Sequence, residues 1–452
     1  MSVLWTSEEI ESATLGKASA PFEVTNLVLD SRKARPGSLY LAVKGENKDG
    51  HDFIAPAFDN HAAAALVHKS VDATGPVLTV AHTQRALEDL ARAARARSSA
   101  KVVAVTGSAG KTTTKEMLKL AFGVLGKTHV SGASFNNHWG VPFSVASLPR
   151  DAEYAVFEIG MNHFGEIRGL VPLAKPAIVL ITTIAPAHLE FFGNCEAIAD
   201  AKSEIFEGLL PGGPALLPLD SPYCERLRTR AKQLGVTNIV TFGAAACGDG
   251  RLTHYEETAE GVLIRADILG KPVEALIGAP GKHIALNALA ALTTVGVAGG
   301  DVEKAAAALR GFTALKGRGE RIQANGVEII DESYNANPAS MAAALALLAK
   351  APGRKIAVLG DMLEMGPEGP ALHAALAPYL TSADLVFLSG PLMAALHDVL
   401  PADRCHGYAA SSKELAPVVA AAVRPGDTVL VKGSNGSRMG AVIDAIKTRA
   451  GG

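Results

Sequence analysis

Apolar residues in this chain fall in short continuous runs, separated by longer segments with helical spacing. Residues 102–105, 154–159, 177–182 and 215–219 are hydrophobic stretches, broken in the second case only by Glu158 and the tyrosine that opens it. Such runs predict the strands of a parallel sheet buried on both faces. Between them, residues 113–125 place Met117, Leu118, Ala121 and Leu125 on one face, which predicts an amphipathic helix. Over 253–277 the pattern alternates more strictly around Gly270-Lys271, as an antiparallel addition would. Residues 282–297 return to helix.

The two ends of the chain have the same texture on different scales. Residues 26–30 and 38–43 have strand character, and 62–68 read as a small-residue helix leading into a short strand. A charged, alanine-rich helix at 85–100 closes this first unit and connects it to the next. From residue 314, strands at 327–331, 356–359, 385–388 and 428–431 alternate with helical stretches, the signature of a doubly wound sheet. These strands end in Asp331-Glu332-Ser333-Tyr334, Gly360-Asp361, Ser389-Gly390 and Lys432-Gly433-Ser434, at the edge where such folds bind ligands. The expected fold class is α/β in three domains: 1–98, a central P-loop-like parallel-sheet domain over 99–313, and a Rossmann-like domain over 314–452.

Composition narrows the field. A chain of 452 residues is too long for one ordinary core. Its 43 Lys and Arg against 45 Asp and Glu leave no basic field for nucleic acid or an anionic membrane. The four cysteines are far apart, with no C-x-x-C pair, and fit incidental thiols rather than a disulfide framework. No run of about 18 apolar residues predicts a membrane span, and the opening 10 residues lack the apolar core of a signal peptide. Nothing calls for more than a monomer.

The chemistry concentrates in Thr106-Gly107-Ser108-Ala109-Gly110-Lys111-Thr112-Thr113, directly after a strand and before a helix. Glycines let backbone N–H groups approach phosphate oxygens, Lys111 adds a charge, Thr112 can reach Mg²⁺, and the helix N-terminus favours anions. The strict nucleotide loop has a further glycine where this chain has Val105. Glu158 ends an apolar strand, where a carboxylate serves either as a cation ligand or as half of a buried ion pair. His188 follows the strand at 177–182 and is either structural or a metal or substrate group. Lys202 reads as a solvated helix lysine. Asn136 and Asn137 are either turn formers or contacts to phosphate oxygens or a base. His283 and Asn287 share a helix face. Arg318 is either linker charge or a group that swings onto a phosphate when domains close.

Together these residues resemble the Mur ligases, the ATP-dependent amide ligases of bacterial cell-wall precursor synthesis, and the resemblance runs through all three units. It is carried by the phosphate loop, Asn136-Asn137, Glu158, His188, Lys202, His283 with Asn287, Arg318 and Asp331. The segments from Phe135 to Pro142, Glu158 to Ile167, Ala187 to Glu190 and Asp331 to Pro338 point within the family to D-alanyl-D-alanine addition onto UDP-N-acetylmuramoyl-tripeptide. The D-N-P-R motif of diaminopimelate-adding members is absent. The resemblance implies a bacterial cytoplasmic enzyme and a uridine-nucleotide site at Asp30, Ser31, Arg32 and Lys44. It implies ATP held by residues 107–113, Asn137, Asn287, Arg318 and Asp331. It further implies one Mg²⁺ on Thr112 and Glu158, and a second on His188 and a Lys202 carbamylated by CO₂. Lys111, His188, Lys202 and Arg318 become the catalytic group. Asn335 and Asn337 are left between nucleotide and dipeptide. Ile284 stands where many relatives have asparagine, and Trp139 is bulkier than expected. Competing readings are another Mur-type ligase, a folylpolyglutamate synthase-like ligase, or a P-loop ATPase or switch. A switch needs neither the third domain nor the His188/Lys202 pair.

Overall fold

The computed structural model describes residues 2–45, 48–132 and 135–449. Three large sheets follow one another along the chain, beside a two-stranded antiparallel pair of Trp5–Thr6 with Glu23–Val24. The first has five strands, Lys17–Ala18 (β1), Asn26–Val28 (β2), Ser38–Leu41 (β3), Ala64–Val67 (β4) and Val77–Thr79 (β5), in the order β1-β5-β4-β3-β2. β2 to β5 are mutually parallel, and β1 pairs antiparallel with β5. Within 62–68 the structure has the strand Ala64–Val67 and no helix; the short helix lies earlier, at Ile54–Asp59. All four β4 residues are buried, so sheet packing overrides the helical preference of the alanines.

The second sheet has nine strands. They are Lys101–Thr106 (β6), Thr128–Val130 (β7), Tyr154–Glu158 (β8), Ile178–Ile181 (β9), Pro214–Pro218 (β10), Asn238–Gly243 (β11), Gly250–Thr258 (β12), Gly261–Ile268 (β13) and Lys271–Ile277 (β14). In the order β14-β13-β12-β11-β10-β9-β6-β8-β7, β6 lies between β9 and β8, so the phosphate loop leaves from the middle of the parallel part. The antiparallel extension formed by β12 to β14 is where the alternating pattern placed it.

The third sheet comprises Glu320–Ala324 (β15), Val327–Glu332 (β16), Lys355–Gly360 (β17), Leu385–Ser389 (β18), Cys405–Ala409 (β19) and Thr428–Lys432 (β20), in the order β15-β16-β20-β17-β18-β19. All its pairings are parallel except β15 with β16. The two edge strands, β15 and β19, carry no continuous apolar run, and their sequences give little strand signal.

The helix Thr83–Ala96 does more than close the first unit. It packs on the central domain's helix Gly140–Ala146, and one hydrophobic core runs from Trp5 and Leu87 through Val102 and Val145. The Trp5 indole donates to the Ala146 carbonyl at 3.0 Å, and the Arg97 guanidinium lies 3.5 Å from the Trp5 ring centre. No described helix is long and apolar enough to cross a membrane.

Candidate functional site

The phosphate loop is shaped by two close approaches. Gly107 has φ +151°, and a Cβ there would lie 1.9 Å from Thr182 Oγ1. Gly110 has φ +81°, and its Cβ would lie 2.5 Å from Asn287 Oδ1. Only glycine meets both demands, so Thr182, just past β9, and the helix Lys282–Val297 brace the loop from two sides. Thr182 Oγ1 also donates to the Ala109 carbonyl at 2.5 Å. The helix Lys111–Gly123 begins at Gly110 with no side-chain cap, which leaves its first N–H groups for an anion. Ser108 Oγ is buried with no hydrogen-bond partner among the described residues. An acceptor brought by a ligand would satisfy it.

Lys111 Nζ donates to the Gly107 carbonyl at 2.7 Å. Burial lowers its ammonium from the ordinary value; Glu158 opposes that shift and Arg318 adds to it. Glu158 is only 2% exposed. Thr112 Oγ1 donates to one carboxylate oxygen at 2.8 Å, and Asn136 Nδ2 to the other at 2.8 Å. Neutral donors thus hold the carboxylate, and no ion pair to it occurs among the described residues. That arrangement fits Mg²⁺, which takes oxygen ligands from one or two carboxylates and completes its shell with phosphate and water. No group of three or more His, Cys, Asp or Glu side chains among the described residues could cage a metal without a ligand's help.

Lys202 corrects the solvated reading. It lies on the helix Cys195–Ser203 and is 1% exposed. Burial, and then the charge of Lys111, push its ammonium well below the ordinary value. His188 has φ +57° and lines the cavity, and its Nδ1 meets the carboxylate of Glu364 from the third domain.

The cavity encloses about 620 Å³ between the central and third domains. Lys111, Glu158, His188, His283 and Asn287 line one wall, and Arg318, Glu332, Tyr334, Asn335 and Lys432 the other. Arg318 is not loose linker charge: its guanidinium sits 4.0 Å from the centre of the Tyr334 ring. Lys432 is 1% exposed, with Nζ 3.2 Å from Glu332 and 2.9 Å from the Asn335 carbonyl.

Some expected contacts lie elsewhere. Asn137 is off the cavity wall; its Oδ1 accepts from the Trp139 and Gly140 amides at 3.2 and 3.0 Å, and Asn136 instead lines the cavity beside Glu158. Asp331 is buried and clamps the turn that carries Arg318, accepting from the Gly317 amide at 3.0 Å. Glu332 beside it lines the cavity instead. Asn337 caps the helix Pro338–Ala349 and still lines the cavity. Ile284 is buried in the core, so an apolar residue suits its position, and Trp139 packs against the core. Asp30, Ser31, Arg32 and Lys44 lie outside this cavity, beyond the carboxyl ends of β2 and β3. Arg32 folds back on Asp30 with bonds of 2.9 and 2.7 Å and holds that carboxyl at about 2.

Sequence reasoning placed Glu332, Tyr334 and Lys432 at ligand-binding strand ends without giving them a role, and did not single out Thr182 or Glu364. A role for Lys432 was findable, because it is a charged residue ending an apolar strand, the signal that marked Glu158. Glu364 was not, because its partner is 176 residues away.

A phosphate loop on one α/β sheet, facing a basic wall on another, defines a multidomain nucleotide-binding protein whose site forms between domains. The chain matches "Mur ligase family, catalytic domain" over residues 23–103, "Mur ligase middle domain" over 105–295, and "Mur ligase, glutamate ligase domain" over 317–435. It is 34% identical to the UDP-N-acetylmuramoyl-tripeptide–D-alanyl-D-alanine ligase of Rickettsia prowazekii, across 98% of this chain and 99% of that one. The crystal structure of MurF from Acinetobacter baumannii superposes with a TM-score of 0.86 at 31% identity, covering 98% of this chain and 99% of that one. MurF ligase from Thermotoga maritima, solved in complex with ADP, gives a TM-score of 0.77 at 27% identity, covering 94% and 97%. This chain belongs to the Mur ligase family.

Proposed function

We propose that this protein uses ATP to add D-alanyl-D-alanine to UDP-N-acetylmuramoyl-tripeptide, releasing ADP and phosphate, in peptidoglycan precursor synthesis. The observation that carries this reading is the cavity itself. A phosphate loop supplies one wall and a separate α/β domain the other, so a nucleotide and a second substrate can meet out of water. Relatives that match nearly end to end carry this activity in their names, and one was solved with ADP.

The labour divides along the chain. Residues 1–98 hold the uridine nucleotide through Asp30, Ser31, Arg32 and Lys44. Residues 99–313 hold ATP, and 314–452 bring the dipeptide and close the site. The terminal carboxylate of the tripeptide attacks the γ-phosphorus of ATP, forming an acyl phosphate as the bond to ADP breaks. The free amine of the dipeptide then attacks the acyl carbon, loses a proton, and phosphate leaves from the tetrahedral intermediate. Lys111 and Arg318 offset the charge that develops on the phosphoryl oxygens. Asn287 braces the loop against movement during transfer.

Thr112 and Glu158 would hold Mg²⁺, and His188 with a carbamylated Lys202 would hold a second ion. Bound there, the ions supply positive charge to phosphate and carboxylate oxygens. Lys202 suits carbamylation because CO₂ reacts with a neutral amine, and its burial favours that form. An enzyme consuming ATP and a uridine-nucleotide substrate would work in the bacterial cytoplasm.

Mass spectrometry of products tests the assignment, with UDP-muramoyl tripeptide and D-alanyl-D-alanine offered against folate and glutamate. Formation of the pentapeptide nucleotide, dependent on ATP and both substrates, is expected. Absence of that product, or ATP turnover with neither acceptor present, overturns the reading.

A further inference from the structure

The contact between His188 and Glu364 is the end of a built arm. The loop at 361–366 leaves the carboxyl end of β17 and is tied to its own domain at each step. Asp361 accepts from the Met393 amide at 2.9 Å, and its carbonyl accepts from the Ser434 amide at 3.0 Å. The Met362 amide donates to buried His373 at 2.9 Å, and the Leu363 amide to Ser434 Oγ at 2.9 Å. Glu364 follows with φ +64°, a left-handed conformation that costs a non-glycine residue strain and persists only where its surroundings enforce it.

Across the domain boundary the central domain answers in kind. His188 is also left-handed, at φ +57°. The Glu190 amide donates to the Glu364 carbonyl at 3.1 Å, and at Gly366 a Cβ would come within 3.2 Å of Glu190 Cα. Backbone and side chain of one residue thus hold both the loop that carries His188 and its ring. With Nδ1 donating to the carboxylate, the neutral imidazole keeps Nε2 as its only lone pair for a ligand.

We propose that Glu364 is the positioning residue for His188: docking of the third domain fixes the ring as its Nδ1–H tautomer and turns Nε2 into a cation ligand. This rests on the assignment of His188 to a cation site above. Its consequence is that one side chain couples domain closure to metal affinity, so the second cation site is complete only while the dipeptide-bearing domain is docked.

The test uses the full chain labelled with ¹⁵N-histidine, with imidazole nitrogen shifts and Mg²⁺ half-activation as readouts. In Glu364→Ala the single Nδ1–H tautomer of His188 is expected to be lost. The Mg²⁺ concentration for half-activation should rise about tenfold or more, with the KM for ATP little changed. Glu364→Gln, whose amide oxygen still accepts, should keep the tautomer and recover most of the affinity. Glu364→Asp, with its shorter reach, tests the same point should alanine fail to fold. A wild-type tautomer and Mg²⁺ requirement in the alanine variant, whatever its activity, overturns the proposal. His188→Ala separates the two readings. An unchanged Mg²⁺ requirement there overturns the cation site itself, whereas a raised one with Glu364→Ala at wild type overturns only the role of Glu364.

Discussion

The two walls of the cavity are built on opposite plans. In the central domain the groups around the phosphate loop are braced by their own domain before any ligand arrives: Lys111 on Gly107, Thr112 and Asn136 on Glu158, Asn287 against Gly110. In the third domain the charged groups occupy one another, as Lys432 does with Glu332, or reach over to the central domain, as Glu364 does with His188. On the proposed function the first wall is a template for phosphate and cation. The second would exchange partners as its domain admits one substrate, closes, and releases a product.

The largest expected effect falls on the template. Lys202→Ala should abolish ligation, and small carboxylic acids should restore part of it by supplying the missing oxygens. Full activity in that variant, measured by product formation, would remove the carbamate from the mechanism. Lys111→Ala should lower kcat by about 10³-fold, since its charge meets the transferring phosphoryl group. The moving wall should be more forgiving. Arg318→Lys keeps the charge but loses the planar stack on Tyr334 and the forked donor set, for an expected loss of about 10²-fold in kcat. An equal or larger loss than at Lys111, in the same steady-state assay, would erase the distinction between the walls.

Stability sharpens the same comparison. Gly110→Ala must adopt a left-handed backbone and displace Asn287, costing about 1–3 kcal/mol by denaturant unfolding. Combining it with Asn287→Ala should cost less than the sum of the two, because the clash goes and only the backbone strain remains. The smallest effect is on the arm. His373 is fully buried, donates Nδ1–H to the Gly369 carbonyl at 2.6 Å and accepts from Met362, and burial pushes its pKa below the ordinary value. The unfolded chain therefore binds the proton more readily. This contribution is intact above about pH 6.5 and is lost as pH falls below that toward the folded value. Exchange of the Met362 amide, corrected for its intrinsic rate, should accelerate between pH 7.5 and 5.5; an unchanged protection factor would show that His373 does not anchor the arm.

What was legible in the sequence follows the same division. The phosphate loop and Glu158 could be read locally. A glycine turn after an apolar strand leaves backbone N–H groups open to an anion, and a carboxylate ending such a strand is costly to bury without a partner. The three sheets were legible wherever strands are buried on both faces. The edge strands β15 and β19 and the alanine-rich β4 were not, since their assignment depends on neighbours rather than on their own residues. Lys202 was misread because the helix that carries it gives no sign of which face is covered. Asn136 and Asn137 were separable only by which amide points at Glu158. The second wall was least legible, because Glu332, Glu364 and Lys432 gain meaning from partners far away in the chain.

The core shared by the first two domains turns their spacing into a measuring device. Trp5, Arg97 and the helix Thr83–Ala96 lock the first sheet to the second, and Gln84 adds a bond of 2.7 Å to the His138 carbonyl. The interval between the Asp30–Lys44 region and the phosphate loop is therefore set by packed side chains rather than by a linker. A substrate anchored by its nucleotide in the first domain, as proposed above, would present its peptide carboxylate at a distance fixed by its own length. Each residue removed shortens the reach by about 3.5 Å, more than the tolerance of an in-line attack. If the proposed function holds, the peptide's length would be selected by where its carboxylate arrives, without every residue on the way having to be recognised.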